Sequence, residues 1–430
     1  MSKLKRVVPE LRFLKHDGSS FPEWEYVPLR LIATMVIKKN KDKKVSRVLT
    51  NSASDGIVDQ RDYFNKDIAV KDNLDGYYVV NYGDYVYNPR ISSLAPVGPI
   101  SKNKVGLGVM SPLYIIFRFN NKNNDFYEQF FNFSSWYAYL QRIANMGARH
   151  DRISIKNSDF MEMPVPKLDD TEQKKISDFL SSIDDLIVAN SKKLESLKLH
   201  KKGLMQKLFP EEGENKPDFR FPEFSMEANW KKEKLHNLVD LLSGHAFKSE
   251  YFSTTGKKMV TPKNFTKNGF ASFSKDNTKY TSEDFNERYI CREGDLLLLL
   301  TDLTPSCELL GRPMLLTSSD GEVLLNQRIA KVILKGNINS NFLKYFFLSN
   351  SFRKRIINTA TGSTVRHTSN KIVLSTELLL PNLSEQNKIA ACLLPIDELI
   401  RSQADKIETL KEYKKGLMQQ LFPEMKESIA

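Results

Sequence analysis

Cysteine is scarce in this sequence: Cys291, Cys307 and Cys392 are the only three in 430 residues. An odd number at wide spacing excludes a disulfide framework and a cysteine-ligated zinc site. Histidine is nearly as scarce, and His16, His150, His200, His236, His245 and His367 never fall at helical i, i+3 or i+4 spacing, so no histidine metal pair forms that way. Long apolar runs are missing too. Leu296–Leu300 is far too short to cross a bilayer, which takes about 20 residues. Met1–Arg6 lacks the apolar core of a secretion signal, and the expectation is a soluble, cytoplasmic protein.

Catalytic signatures are also absent. Neither GxxxxGK[ST] nor GxGxxG occurs. Asn88-Pro89-Arg90 matches only the start of the Asn-Pro-Pro-aromatic loop of amino-methyltransferases, lacking the second proline and the aromatic. Pro217-Asp218 could open a nuclease site, but no Glu-x-Lys follows it before Glu412. No serine, cysteine or aspartate pairs with a histidine in a recognisable nucleophilic pattern.

Positive charge and repetition are present. A formal charge of +12 and a pI near 9.2 favour a polyanionic partner, nucleic acid or a membrane surface. Residues 172–210 recur as 385–423 without a gap, with 22 identities in 39 positions, ending in Lys201-Lys202-Gly203-Leu204-Met205-Gln206-Lys207-Leu208-Phe209-Pro210 and its copy from Lys414 to Pro423. Ile176, Leu180, Ile183, Ile187, Leu194, Leu197, Leu204 and Leu208 follow heptad steps. Ile389, Leu393, Ile396, Ile400, Ile407, Leu410, Leu417 and Leu421 repeat them. Asn190 and Gln403 are the polar members at one step, Lys201 and Lys414 at another. This spacing predicts two long coiled-coil helices, each the natural partner of the other. Thr171 and Ser384 are the expected N-caps, Pro210 and Pro423 the stops, and Pro395 is expected to kink the second helix.

A second echo precedes each helix. Pro9-Glu10-Leu11-Arg12-Phe13 resembles Pro217-Asp218-Phe219-Arg220-Phe221, and Trp24 and Leu29 match Trp230 and Leu235. The chain therefore reads as lead-in segment, variable block, helix, twice over. Inside the blocks, strands flank Gly83-Asp84, an aromatic stripe around Phe126–Tyr137 reads as core, and Tyr289–Leu296 echoes Tyr78–Tyr85. Gly362–Thr368 stands where Gly147–Ile153 stood.

The paired Lys-Lys-Gly-Leu-Met-Gln-(Lys/Gln)-Leu-Phe-Pro repeats, the Pro-(Glu/Asp)-(Leu/Phe)-Arg-Phe lead-ins and Gly83-Asp84-Tyr85-Val86-Tyr87-Asn88-Pro89 together resemble the specificity subunit of a type I restriction–modification enzyme, over essentially the whole chain. The resemblance implies an α+β chain with two similar α/β target-recognition domains. Two long helices, packed as an antiparallel coiled coil with pseudo-twofold symmetry, would separate them. The division would be 1–166 and 211–382 for the domains, 167–210 and 383–430 for the helices. Each domain would read half of a bipartite asymmetric DNA site, with the helices setting the spacer. Two methyltransferase subunits carrying S-adenosylmethionine would methylate adenine, and endonuclease subunits using ATP and magnesium would cleave. This chain would itself hold no cofactor.

Base reading needs long polar side chains, and phosphate contacts need cations. The candidates are Lys44, Gln60, Arg61, Asn88, Arg90, Arg149 and Arg152 in the first block, and Lys263, Asn264, Arg312, Arg328, Arg366 and His367 in the second. Two other readings stay open: a stand-alone DNA-modifying or DNA-cleaving enzyme with a helical spacer, and a non-catalytic coiled-coil scaffold. RNA binding lacks an aromatic RNP-type motif.

Overall fold

The computed structural model describes residues 6–64, 74–146, 151–211, 213–304 and 306–423. The chain divides into two compact units, one of residues 1–189 with 407–430, the other of residues 190–406. Each repeated helix is a single element of 39 residues, Asp170–Leu208 and Leu383–Leu421, about 58 Å at 1.5 Å per residue. The second runs unbroken through Pro395, which is exposed.

In the first unit, β1 (Trp24–Pro28) pairs with β6 (Pro164–Lys167), bringing the two ends of the block together. Between them lies an antiparallel four-stranded sheet. Its strands are β2 (Ala33–Met35), β3 (Tyr85–Tyr87), β4 (Ile100–Lys102) and β5 (Ile115–Phe119), in the order β2-β5-β3-β4. The second unit repeats this frame. There β7 (Lys231–Lys234) pairs with β12 (Glu377–Leu380). Its four-stranded sheet is β8 (Val239–Ser243), β9 (Leu296–Leu299), β10 (Pro313–Leu315) and β11 (Ile329–Leu334), in the order β8-β11-β9-β10. The registers coincide: Phe119 faces Ala33 as Leu334 faces Val239, and Tyr85 faces Lys102 as Leu296 faces Leu315. The duplication thus extends through blocks whose sequences have largely diverged.

The aromatic stripe of the first block is core. Phe126, Phe130, Phe131 and Trp136 are buried, on or beside the helices Asp125–Phe131 and Tyr137–Ile143. Phe422, from the repeated Leu-Phe-Pro, packs 5.6 Å from Phe126 and 5.9 Å from Phe130 and Phe133. Its counterpart Phe209 stacks at 5.3 Å on Phe342, in the helix Ser340–Leu348 of the second unit. Burying a phenylalanine is worth roughly 1.5–3 kcal/mol, so the motif fastens each helix end to a block.

The helix starts differ from the sequence expectation. The caps are Asp169, whose Oδ1 accepts the N–H groups of Thr171 and Glu172 at 2.8 and 3.3 Å, and Asn382, whose Oδ1 accepts that of Glu385 at 2.9 Å. Thr171 and Ser384 sit inside the helices. The carboxylates of Glu172 and Glu385 are then free to turn inward. Arg12 clasps Glu172 at 2.8 and 2.9 Å, and Arg220 clasps Glu385 at 2.8 Å through both nitrogens. Such bidentate pairs are among the stronger charged hydrogen bonds, and they tie each lead-in segment to a helix start. A backbone bond ties it to a helix end: Leu11 N–H donates to Gln420 at 3.1 Å, and Phe219 N–H to Lys207 at 2.9 Å.

All sixteen apolar seam residues predicted above are buried or half-buried. Within each unit the two helices run past each other in opposite directions. In the first, Ile176 and Leu180 share a core with Leu421 and Met418. In the second, Leu208 shares one with Ile389 and Leu393, while Gln403 Nε2 donates to Asn190 Oδ1 at 2.7 Å. The repeated lysines are internal: Lys414 reaches Asp184 at 2.7 Å and Lys201 reaches Asp397 at 2.5 Å. Among the described residues no helix is long and apolar enough to cross a membrane.

Candidate nucleic-acid interface

One turn sets the geometry of each sheet. Gly83 and Gly294 adopt φ of +88° and +84°, a region that favours glycine. The aspartate after each glycine folds back, so that Asp84 Oδ2 accepts the Asn81 N–H and Asp295 Oδ2 that of Arg292, both at 2.8 Å. A cation from the neighbouring strand completes each turn, Arg118 to Asp84 at 2.6 Å and Lys331 to Asp295 at 2.5 Å. The turn fixes where β3 and β9 begin and hence where their far ends emerge.

The far end of β3 meets the stretch that closes the block. Ile153 N–H donates to Pro89 and Ile91 N–H to Asp151, both at 3.0 Å, which sets Arg90 opposite Arg152 in an antiparallel bridge. A cleft of about 310 Å³ opens here, lined by Asn88, Arg90, Arg152, Asn51, Tyr63 and Tyr114 among others. Arg90 is exposed and pairs loosely with Asp151 at 3.6 Å, whereas half-buried Arg152 has no ion pair among the described residues. Asn88 is not a free probe: its Nδ2 donates to Asn51 O at 2.8 Å and its Oδ1 accepts the Arg90 N–H at 3.0 Å. It shapes the wall that aims Arg90. Gln60 and Arg61 begin the short helix Gln60–Phe64 that carries Tyr63 into the cleft. Lys44 stands apart on an exposed loop, 3.2 Å from Asp42. Arg149 lies outside the described residues.

The second unit builds the same place from different residues. Past β9, Thr301 pairs with His367 and Asp302 with Arg366, the counterpart of the Arg90–Arg152 bridge. Thr301 Oγ1 and His367 Nδ1 are 3.0 Å apart. Leu300 N–H donates to Arg328 O at 2.9 Å, so Arg328 joins Arg366 and His367 around one strand end. Lys263 is exposed on the turn Pro262–Asn264.

Asn264 and Arg312 are likewise not placed at that strand end. Asn264 is fully buried, its Oδ1 accepting from Thr261 N and Oγ1 at 2.7 and 2.8 Å, so it cannot meet a base edge. It holds a turn instead. Arg312 donates to the carbonyls of Glu308 at 3.2 Å and Lys267 at 3.3 Å, with burial lowering its pKa, and lines a separate cleft. Sequence reasoning also missed Tyr63, Tyr114 and Asn51, whose placement beside Arg90 depends on strand pairing across distant positions. Among the described residues no group of three or more His, Cys, Asp or Glu could hold a metal ion.

Comparison with known proteins agrees with this architecture. The family profile of the type I restriction modification DNA specificity domain matches residues 227–412. The type I restriction enzyme MjaVIII specificity subunit of Methanocaldococcus jannaschii is 27% identical over 387 residues, 83% of this chain and 87% of that one. In fold, the chain is similar to the S subunit of a type I restriction–modification system from M. genitalium, with a TM-score of 0.58 at 14% identity, covering 98% of this chain and 100% of that one. A chain from a study of complex assembly and conformational transition in the type I R-M system gives 0.53 at 14% identity, over 94% and 99%. Residues 227–412 thus match the type I restriction modification DNA specificity domain, and over most of its length the chain is similar to type I restriction enzyme specificity subunits.

Proposed function

We propose that this chain is the non-catalytic DNA-recognition subunit of a type I restriction–modification complex in the cytoplasm. Each unit reads one half of a bipartite, asymmetric site, and the long helices, packed as an antiparallel coiled coil, set the spacer between halves. Two methyltransferase subunits holding S-adenosylmethionine methylate an adenine in each half, and endonuclease subunits driven by ATP with magnesium cleave.

The observation that carries this reading is the matched bridge past β3 and β9, with Arg90 opposite Arg152 in one unit and Thr301 opposite His367 in the other. A shared backbone frame with exchanged side chains is what two modules reading different half-sites require. Arginine pairs bidentately with guanine in the major groove, and each such contact discriminates by roughly 1–3 kcal/mol. The charge of +12 supplies the phosphate attraction on which any such reader depends.

The test is a methylome. The chain is expressed with its host's methyltransferase subunit, and N6-methyladenine is mapped across the DNA. A split motif that appears only with this chain, and of which one half alone changes when residues 30–165 are exchanged, supports the proposal. An exchange that alters both halves, or a stable complex that adds no methylation, overturns it.

A further inference from the structure

The second unit holds a cleft apart from the strand-end cluster, about 420 Å³ in volume, where the end of the first long helix meets the helix Asn350–Asn358. Seven of its eighteen lining residues are cationic and one, Glu211, is acidic. Some of that charge is neutralised nearby: Lys198 pairs with Glu195 at 2.7 Å, Lys267 with Glu308 at 2.5 Å and Lys201 with Asp397 at 2.5 Å. Among the described residues Lys202, Lys354, Arg312 and Arg353 make no ion pair.

Arg353 is the informative member. Only 8% exposed, it donates to the carbonyls of Cys307 at 2.9 Å, Glu308 at 3.1 Å and Leu310, with no carboxylate. Its pKa is driven down to about 10, first by burial and then by Arg312 alongside. Withdrawing a guanidinium from water is costly; the buried Asp302 carboxylate offsets part of that cost without bonding to Arg353, and an anion in the cleft would relieve more of it. The helix Asn350–Asn358 adds to the pull, since Asn350 and Ser351 line the cleft and its first turn contains no acid.

We propose that this cleft binds phosphodiester groups of the DNA backbone, outside the bases that the unit reads; the inference rests on the DNA-reading role proposed above. Two features favour a polymer over a free nucleotide. Phe209, the aromatic ring of the lining, is stacked on Phe342 at 5.3 Å and is unavailable to a nucleobase. The lysines also recur: Lys411, Lys414 and Lys415, 213 positions after Lys198, Lys201 and Lys202, line a cleft of about 1390 Å³ in the first unit together with Arg6. Lys414 there is paired with Asp184, which leaves Lys411 and Lys415 facing a volume larger than one small anion fills.

The experiment is a salt titration of binding between the full chain and random-sequence duplex, for the wild type, Lys202→Gln/Lys354→Gln and the control Lys275→Gln. Each lost phosphate contact flattens the slope of log K against log salt by about 0.9, so the double variant should be shallower by about two and the control unchanged. An unchanged slope in a double variant with wild-type thermal melting overturns the inference, as does equal flattening by the control. Tripolyphosphate is titrated in parallel. If the double variant loses tripolyphosphate binding while its DNA slope stays the same, the cleft serves a free polyphosphate and the backbone assignment is wrong. A wild type that binds no duplex at low salt defeats the DNA-reading proposal itself, a result distinct from either.

Discussion

Asp184 and Asp397 occupy equivalent steps of the duplicated helices, 213 residues apart, and each receives the motif lysine of the other helix. Their surroundings differ sharply. The Asp184 side chain is 42% exposed and takes Lys414 at 2.7 Å and Gln129 at 3.1 Å. That of Asp397 is 1% exposed and takes Lys201 at 2.5 Å, Lys344 at 3.0 Å and the Tyr345 hydroxyl at 2.7 Å. The helices supply one ion pair twice, and the variable block decides whether it becomes a surface bridge or a buried network. Divergence in the variable blocks therefore reaches into the helical frame.

The strongest way to expose this difference is to remove each carboxylate. Asp397→Ala leaves two ammonium groups beside each other with nothing to neutralise them, and should cost about 3–5 kcal/mol in denaturant unfolding. Asp184→Ala, at a half-exposed pair, should cost about 1 kcal/mol or less. Equal losses would mean that the two anchors are energetically alike despite their burial.

A smaller effect separates the units by pH. Burial pushes the Lys344 ammonium down to about 8 from 10.5, against the opposing pull of Asp397. Below pH 8 the folded and unfolded chains both hold that proton. Between about 8 and 10.5 the unfolded chain binds more, so the Lys344 contribution to stability rises with pH across this window. Lys344→Met should flatten the rise when melting is followed from pH 7.5 to 10.5, and a rise that persists in the variant would assign it to other groups.

The smallest difference lies at the lead-in clasps. Glu172 accepts the Trp24 indole N–H at 3.0 Å in addition to Arg12, whereas the Trp230 indole nitrogen is buried without a partner among the described residues. Glu172→Ala should therefore cost about 1.5 kcal/mol more than Glu385→Ala in unfolding experiments, the lower end of the worth of a hydrogen bond to a charged group.

The helices were legible because heptad spacing and long identity survive in the sequence as a one-dimensional pattern. The sheet frame was legible only where Gly-Asp turns recur, since strand register depends on partners such as Ala33 and Phe119, far apart in the chain. The equivalence of Arg90 with Thr301 and of Arg152 with His367 leaves no shared residue type to detect. Asn264 shows the opposite failure. An asparagine three positions after Thr261 fits a capping box as well as a base reader, and burial decides for the former. Asn88, next to Pro89, carried a similar warning of a turn role.

The two backbone ties have a consequence for chain order. Phe219 reaches Lys207 along a continuous stretch of polypeptide, whereas Leu11 reaches Gln420 with nearly the whole chain between them. The same joint is thus made once with covalent continuity and once without it. Because the Leu11–Gln420 tie forms without covalent continuity, a break in the chain between Pro210 and Pro217 should leave the Phe219–Lys207 tie in place.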